Sequence, residues 1–168
     1  VKADAYGLGV TRVVRSLANA GARRFFVAAA EEGAAVRQAL GPGPQISVLS
    51  GHMSGDTEMI HDLDLTPMLN SLEQITRHLE SLPGHAFGVQ LDTGMNRLGF
   101  KKEDIEKLKD EIFNTPQFHI QSVFSHLVAS ENLQMEAFTF KQFDAYNEMV
   151  AEISQACTYP FLKHLGNS

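Results

Sequence analysis

Cysteine, tryptophan and positive charge are all scarce in this sequence. Cys157 is the single cysteine among 168 residues, so an internal disulfide is impossible, and a reducing compartment such as the cytoplasm fits best. The sequence has fourteen lysines and arginines and twenty acidic residues, which gives a formal net charge of -6 at pH 7. This balance argues against nucleic acid or an anionic membrane as the main partner.

Long apolar runs and common ligand-binding motifs are missing as well. No apolar stretch approaches the roughly 20 residues of a membrane-spanning helix. No G-x-G-x-x-G dinucleotide loop follows a predicted strand, and the histidines lack metal-ligand spacing, so we predict no metal site. The composition, 43% hydrophobic and 20% charged, is typical of a globular domain with a sizeable core.

Short apolar runs alternate with helical periodicity along the whole chain. Predicted strands cover residues 24–29, 45–50, 63–69, 85–92, 119–126 and 160–165, with Pro67 weakening the third. Predicted helices cover residues 8–20, 31–40, 55–61, 72–82, 102–113 and 136–156. Residues 1–2 read as the end of one more strand. Seven strand signals separated by helices predict an α/β fold with a parallel sheet.

Two architectures fit this order, an open doubly wound sheet and a (β/α)8 TIM-type barrel. The chain begins and ends abruptly, and a complete barrel needs about 250 residues. We therefore predict that residues 1–168 form one incomplete barrel domain, truncated at both ends and containing about seven strands.

The carboxyl ends of parallel strands carry the chemistry in such folds. The residues that directly follow the predicted strands are rich in polar groups: Lys2, Leu49-Ser50, Asp92 to Arg97, His126 and His164 to Ser168. The strand starts offer nothing comparable. We therefore predict a ligand site at the carboxyl end of the sheet.

Lys2 and Tyr6 introduce a glycine-rich turn at the start of the chain. A lysine amine at a strand's end can act as a nucleophile toward an aldehyde. Gly7 and Gly9 let backbone amides approach an anion closely, and the Tyr6 hydroxyl could donate to a phosphate. The alternatives are a surface lysine and a tyrosine that packs over an ordinary turn.

Arg97 and His126 follow two later strands. The Arg97 guanidinium suits a carboxylate or a phenolate oxygen, although an ion pair with Asp92 is an equal alternative. The His126 ring could stack on a flat cofactor, or it could be a satisfied core residue. Asn167 and Ser168 suit either a phosphate site or a helix N-cap.

Four segments together resemble the alanine racemase family. VKADAYGLG (residues 1–9) resembles its cofactor-lysine motif, and DTGMNRLG (92–99) resembles its second motif. SH (125–126) followed by ASE (129–131) resembles a third, and HLGNS (164–168) a fourth. The four occur in the family's order across essentially the whole chain. The first two are specific, and the last two are weak on their own.

This resemblance implies a fold-type III barrel that holds pyridoxal 5'-phosphate. Lys2 would bond covalently to this cofactor and later act as one catalytic base. Tyr6 and Ser168 would contact the phosphate, with Asn167 beside them. The implied enzyme is a cytoplasmic, homodimeric isomerase that interconverts L- and D-alanine, the latter for peptidoglycan synthesis.

The resemblance assigns three further positions and marks one departure. Arg97 would lie near the phenolic oxygen of the cofactor and the carboxylate of the substrate. His126 would lie against the pyridine ring, and Leu49 would line the pocket. Gln90 stands where many relatives have a carbamylated lysine, and it cannot supply that negative charge.

The family's second base is a tyrosine in the C-terminal β-domain of the partner subunit. We expect that domain to lie beyond Ser168 and the isolated chain to have little or no activity.

The sequence is also compatible with three other functions. A related racemase could act on serine, lysine or several amino acids, because substrate choice depends on pocket contacts. A non-catalytic barrel could carry pyridoxal phosphate without the β-domain. A phosphate-binding barrel could form no covalent bond to a cofactor at all.

Overall fold

Parallel strands form one sheet in which each strand pairs with the next along the chain. A computed structural model describes residues 1–115 and 118–167. In these residues the sheet has six strands in sequence order. They are β1 (Arg24–Val27), β2 (Gln45–Val48), β3 (Leu65–Leu69), β4 (Phe87–Leu91), β5 (Ile120–His126) and β6 (Leu162–Gly166).

One helix, α2 (Val10–Asn19), precedes β1, and five helices connect successive strands. These five are α3 (Ala30–Leu40), α4 (Thr57–Asp62), α5 (Leu72–Ser81), α6 (Ile105–Asn114) and α7 (Glu136–Ala156). Two 3₁₀ turns, Lys102–Asp104 and Leu133–Met135, precede α6 and α7. The first short element, α1 (Lys2–Tyr6), is a left-handed turn. The predicted α/β order is confirmed.

The prediction of a strand at residues 1–2 is wrong. The Val1 amino group donates to the Phe26 carbonyl at 2.9 Å, which is the kind of contact that a neighbouring strand makes. The chain then turns into α1 at Lys2, so the pairing does not continue past Val1. The described sheet therefore has six strands where the sequence predicted about seven.

Pro67 lies inside β3, and all five residues of that strand are buried. A proline removes one donor from a sheet, which usually confines it to edges. Here Pro67 is paired in register with Val48 of β2, whereas the described pairing with β4 begins one residue later, at Met68. This offset accommodates a proline in a central strand.

Side chains from distant strands meet on the inner face of the sheet. The Phe26 and Phe124 rings, on β1 and β5, have centroids 5.5 Å apart, and Phe26 lies 6.0 Å from the His164 ring of β6. In a flat sheet β1 and β5 would be roughly 19 Å apart, four strand spacings. The sheet is therefore curled as part of a barrel. This confirms the barrel and excludes the open doubly wound sheet.

The hydrophobic core lies between the convex face of the sheet and the helices. One buried cluster is centred on β4, β5, α6 and α7 and includes Phe87, Leu108 and Met149. A second joins β1 and β2 to α2 and α3 and includes Val36. In the part of the chain that the structure describes, no helix is long and apolar enough to cross a membrane.

A chain of buried histidines connects the β2–α4 loop to α5. His78 Nε2 lies 3.2 Å from the His85 carbonyl, which can only accept, so this nitrogen carries the proton. When the rings are neutral, His78 Nδ1 accepts from His52 Nδ1, 3.1 Å away, and His52 Nε2 accepts from the Thr57 hydroxyl at 3.0 Å. Both rings are fully buried, and burial favours this neutral arrangement.

Burial in this histidine chain makes the stability of the protein sensitive to acid. Desolvation lowers the pKa of His78 to about 4, from an ordinary 6.5. As the pH falls from 6.5 towards 4, His78 binds a proton in the unfolded chain but remains neutral in the folded chain. We expect the free energy of unfolding to fall by about 3 kcal/mol over that interval, as measured by urea denaturation at successive pH values.

A His78→Gln variant separates this effect from general acid sensitivity. The glutamine amide can accept from His52 and donate to the His85 carbonyl, but it does not titrate. We expect a flatter pH dependence for this variant. His61→Gln, at an exposed histidine paired with Asp62, should keep the original slope. A full slope in His78→Gln would contradict the assignment.

Candidate active site

A cavity of about 380 Å³ opens on the inner face of the sheet, toward the carboxyl ends of the strands. We call it the mouth cavity. Its wall combines apolar and aromatic side chains with several polar groups. The lining residues are Val1, Lys2, Tyr6, Phe26, Leu49, Phe124, His126, Lys163, His164, Leu165, Gly166 and Asn167.

Five of the seven sequence-predicted site residues lie around this cavity: Lys2, Tyr6, Leu49, His126 and Asn167. As far as the described residues define the wall, Arg97 is not part of it. The predicted role of Ser168 falls outside the described residues. The structure thus brings together side chains from both ends of the chain, and their roles remain predictions.

Lys2 enters the cavity wall from a left-handed turn. Ala3, Asp4, Ala5 and Tyr6 have φ between 51° and 58°, and the Ala5 and Gly7 amides donate to carbonyls four residues earlier. This backbone costs about 1–2 kcal/mol for each residue other than glycine. The Lys2 side chain is partly buried, and its Nζ lies 5.8 Å from the centroid of the Tyr6 ring.

Carboxylates hold the strained turn from two sides. Asp4 Oδ1 accepts from the Val10 amide at 2.7 Å, which joins the turn to the start of α2. Glu32, on α3, accepts from the Ala3 amide at 2.9 Å and from the Ala28 amide at 2.7 Å. The turn is therefore fixed to β1 and to two helices.

The segment from Asp92 to Gly99 is a loop organised by the Asp92 carboxylate. Asp92 Oδ1 accepts from the amides of Gly94 and Asn96 at 3.0 and 2.9 Å. Among the described residues Asp92 forms no ion pair with Arg97, which was the alternative interpretation of this motif. The carboxylate shapes the loop, and the exposed Arg97 is left available.

His126 lies at the end of β5 and is partly buried in the cavity wall. Burial lowers the pKa of its imidazole, and the positive charges of Arg97 and Lys2 lower it further. Arg97 is thus close enough to affect His126 although it does not line the cavity. A neutral imidazole there can lie against a flat ring without adding a third positive charge.

Gln90 is buried beneath the loop, with 3% of its surface exposed. Its Nε2 donates to the Leu98 carbonyl at 3.4 Å, and in the described residues its Oε1 has no hydrogen-bond partner. Among the described residues, Gln90 thus makes no hydrogen bond to Arg97.

Gln142 is a buried site residue that the sequence analysis missed. From α7 its Nε2 donates to the His126 carbonyl at 3.1 Å and to Thr93 Oγ1 at 3.4 Å, and its Oε1 accepts from the Val128 amide at 3.0 Å. It joins the loop after β4 to the loop after β5. A glutamine in a helical pattern gives no sequence signal of such a role.

The third and fourth sequence motifs meet at Asn167. Its Oδ1 accepts from Ser130 Oγ at 2.7 Å, and its Nδ2 donates to Glu131 Oε2 at 2.6 Å. The hydrogen bond from Asn167 contributes to lowering the pKa of Glu131, after that residue's own backbone amide. These contacts orient the Asn167 amide at the rim of the mouth cavity.

The arrangement supplies an amine, aromatic walls and neutral hydrogen-bond donors in one concave site. Phe26 and Phe124 offer flat apolar surface, and Tyr6 and Asn167 offer hydroxyl and amide donors at the rim. Phe26 and Phe124 lie one and two residues before the ends of their strands, which places them near the carboxyl edge of the sheet. Neither strand sequence alternates between apolar and polar residues in a way that would show which face they occupy.

Comparisons with known proteins all point to one family. The family model described as "Alanine racemase, N-terminal domain" matches residues 1–168. The chain is 69% identical over 106 residues to an alanine racemase of Cereibacter sphaeroides, covering 63% of this chain and 30% of that protein. It is 53% identical over 145 residues to an alanine racemase of Ruegeria sp., covering 85% of this chain and 41% of that protein.

A solved structure shows the same likeness in three dimensions. The alanine racemase of Bartonella henselae, solved with covalently bound pyridoxal phosphate, superposes with a TM-score of 0.81 at 28% identity. The match covers 99% of this chain and 53% of that one. The chain therefore spans between about a third and a half of the length of the proteins that it matches.

Proposed function

The chain belongs to the alanine racemase N-terminal domain family, and from this premise we propose that the whole protein is a pyridoxal-phosphate-dependent racemase that interconverts L- and D-alanine. The observation that carries the proposal is the position of Lys2 in the wall of the mouth cavity, beside aromatic rings and neutral donors. The relatives are named alanine racemases, which supports alanine as the substrate.

The residues of the mouth cavity fit pyridoxal phosphate. A volume of about 380 Å³ lies in the usual range for small-molecule sites. Lys2 Nζ is available for the aldehyde, and Phe26, Phe124 and His126 border the space for a flat ring. Tyr6 Oη and Asn167 Nδ2 can donate to the phosphate, and Gly166 leaves room for its approach.

When bound, pyridoxal phosphate supplies an aldehyde that condenses with an amine, with loss of water, and a conjugated ring that stabilises the carbanion left by α-proton removal. Lys2 Nζ holds the proton that leaves one face of the amino acid and can return it to that face. His126 stays neutral and orients the ring. Arg97 binds the substrate carboxylate from the loop after β4.

Inversion needs a second proton carrier on the opposite face. We propose a tyrosine from the C-terminal domain of a partner subunit, so that the working protein is a homodimer. We further propose that it acts in the cytoplasm and that its D-alanine serves peptidoglycan synthesis. The family membership supports these finer assignments. The acidic net charge supports a small-molecule substrate over nucleic acid.

Borohydride trapping of the complete gene product tests the proposal. Incubation with pyridoxal phosphate, reduction and peptide mapping should place a phosphopyridoxyl label on Lys2, and chiral chromatography should show conversion of L-alanine to D-alanine. Labelling without racemisation of any amino acid would indicate a non-catalytic cofactor carrier. Faster turnover of serine or lysine would assign a different substrate. No label on Lys2 would contradict the proposal.

A further inference from the structure

We propose that Glu32 is a positioning residue for Lys2, because its carboxylate holds the left-handed turn in the conformation that presents the Lys2 amine to the mouth cavity. The inference rests on the proposed function, since that amine is the group that would bond to pyridoxal phosphate. Two contacts carry it: Glu32 Oε1 accepts from the Ala3 amide at 2.9 Å, and Glu32 Oε2 accepts from the Ala28 amide at 2.7 Å.

The first of these contacts is made directly after Lys2. The opening amides of any helical turn lack acceptors within the turn, whatever its hand. Ala3 carries such an amide, and Glu32 supplies its acceptor from another element. Four consecutive residues other than glycine have positive φ, which makes this turn an unfavourable conformation that must be held from outside. Glu32 therefore acts at the point where the backbone direction of Lys2 is set.

The second contact ties the turn to the sheet. Ala28 immediately follows β1, whose Phe26 borders the mouth cavity. A carboxylate offers two oxygens, so Glu32 joins the amide beside Lys2 and the amide at the end of β1 through one rigid group. Hydrogen bonds to an ionised acceptor are shorter and about twice as strong as neutral ones. A glutamine offers one acceptor and can satisfy one of the two amides.

The chain offers two matched controls on the same helix. Glu31 carries the same charge next to Glu32 and is exposed. Val36 is fully buried and packs in the core cluster between α3 and the first strands. Glu31→Gln therefore changes the charge of α3 without touching the turn. Val36→Ala loosens the core without removing either contact.

The test compares the rate at which the complete gene product captures pyridoxal phosphate, measured as borohydride-trapped label on Lys2 against time. We expect Glu32→Ala to slow capture by about 100-fold and Glu32→Gln by about 10-fold, because a displaced amine meets the aldehyde in the wrong geometry. The pH midpoint of the visible absorbance of the bound cofactor should also shift in both variants. Glu31→Gln and Val36→Ala should keep the rate and the midpoint of the unchanged protein.

The outcomes separate this inference from the function on which it rests. Absence of label in the unchanged protein would overturn the proposed function, and this inference with it. Normal labelling of the unchanged protein, together with an equal rate and absorbance midpoint in Glu32→Ala, would overturn the role of Glu32 alone. An equal slowing in Val36→Ala would show that stability sets the rate, which would also overturn it.

Discussion

Replacing Lys2 with alanine in the complete gene product is expected to lower alanine racemisation by a factor of about 10³ or more. The variant loses the amine that bonds to the cofactor and the group that carries a proton on one face of the substrate, and each loss alone costs orders of magnitude. Racemisation followed by chiral chromatography measures the effect, and the phosphopyridoxyl label should disappear from this position.

Lys163 provides the matched control, because it is a second lysine in the wall of the mouth cavity. It is exposed on β6, and its Nζ lies 6.0 Å from the centroid of the Phe161 ring. Lys163→Ala should retain the label on Lys2 and most of the activity. If the label and the activity were lost with Lys163 instead, the assignment of the reactive amine would be wrong.

Gly99→Ala is expected to destabilise the protein by about 3 kcal/mol, or roughly 6–12 °C in Tm. Gly99 has φ of 112°, and a Cβ there would lie 2.7 Å from the Leu91 carbonyl carbon and 2.8 Å from the Asp92 nitrogen. These are backbone atoms that cannot rotate away. The Asp92 amide also donates to the Phe100 carbonyl at 2.8 Å, so relief of the clash would break this pair and displace the Arg97 loop.

Gly84 separates the clash from the backbone strain. It also has positive φ, of 81°, but a Cβ there meets no atom within 4 Å. Gly84→Ala should therefore cost only the strain of the left-handed conformation, about 1 kcal/mol. Thermal unfolding of the two variants measures the difference. Equal melting temperatures would show that the loop moves freely and that Gly99 does not fix it.

The fold was largely predictable because hydrophobic periodicity reports directly on burial. The 21 residues of α7 have the predicted bounds, since apolar positions repeat at helical spacing throughout that segment. The six strands after residue 2 are all present in the described residues, although each is shorter than predicted. Residues 28–29 illustrate this: they are apolar but lie between β1 and α3, where Glu32 accepts a hydrogen bond from the Ala28 amide.

The residues around the mouth cavity were predictable from two signals, strand ends and sequence motifs. Leu49 and His126 lie at strand ends, which a parallel sheet gathers at one edge, whereas Lys2 and Tyr6 belong to the glycine-rich motif. Glu32 and Gln142 act through backbone amides of other elements, and nothing in the local pattern distinguishes them from surface or core helix residues. The left-handed conformation at Ala3 to Tyr6 could not be predicted either, since these residue types ordinarily avoid it.

The contact between Phe26 and Phe124 has a consequence for how the protein reaches its native state. Each strand pairs with its sequence neighbour, so most of the sheet assembles through contacts between nearby segments. The mouth cavity is the exception, because Lys2 and Asn167 lie at opposite ends of the described chain. Closing so long a loop carries the largest entropic cost, and high contact order slows folding. We therefore expect the ligand site to be completed late, after the individual β/α units have formed.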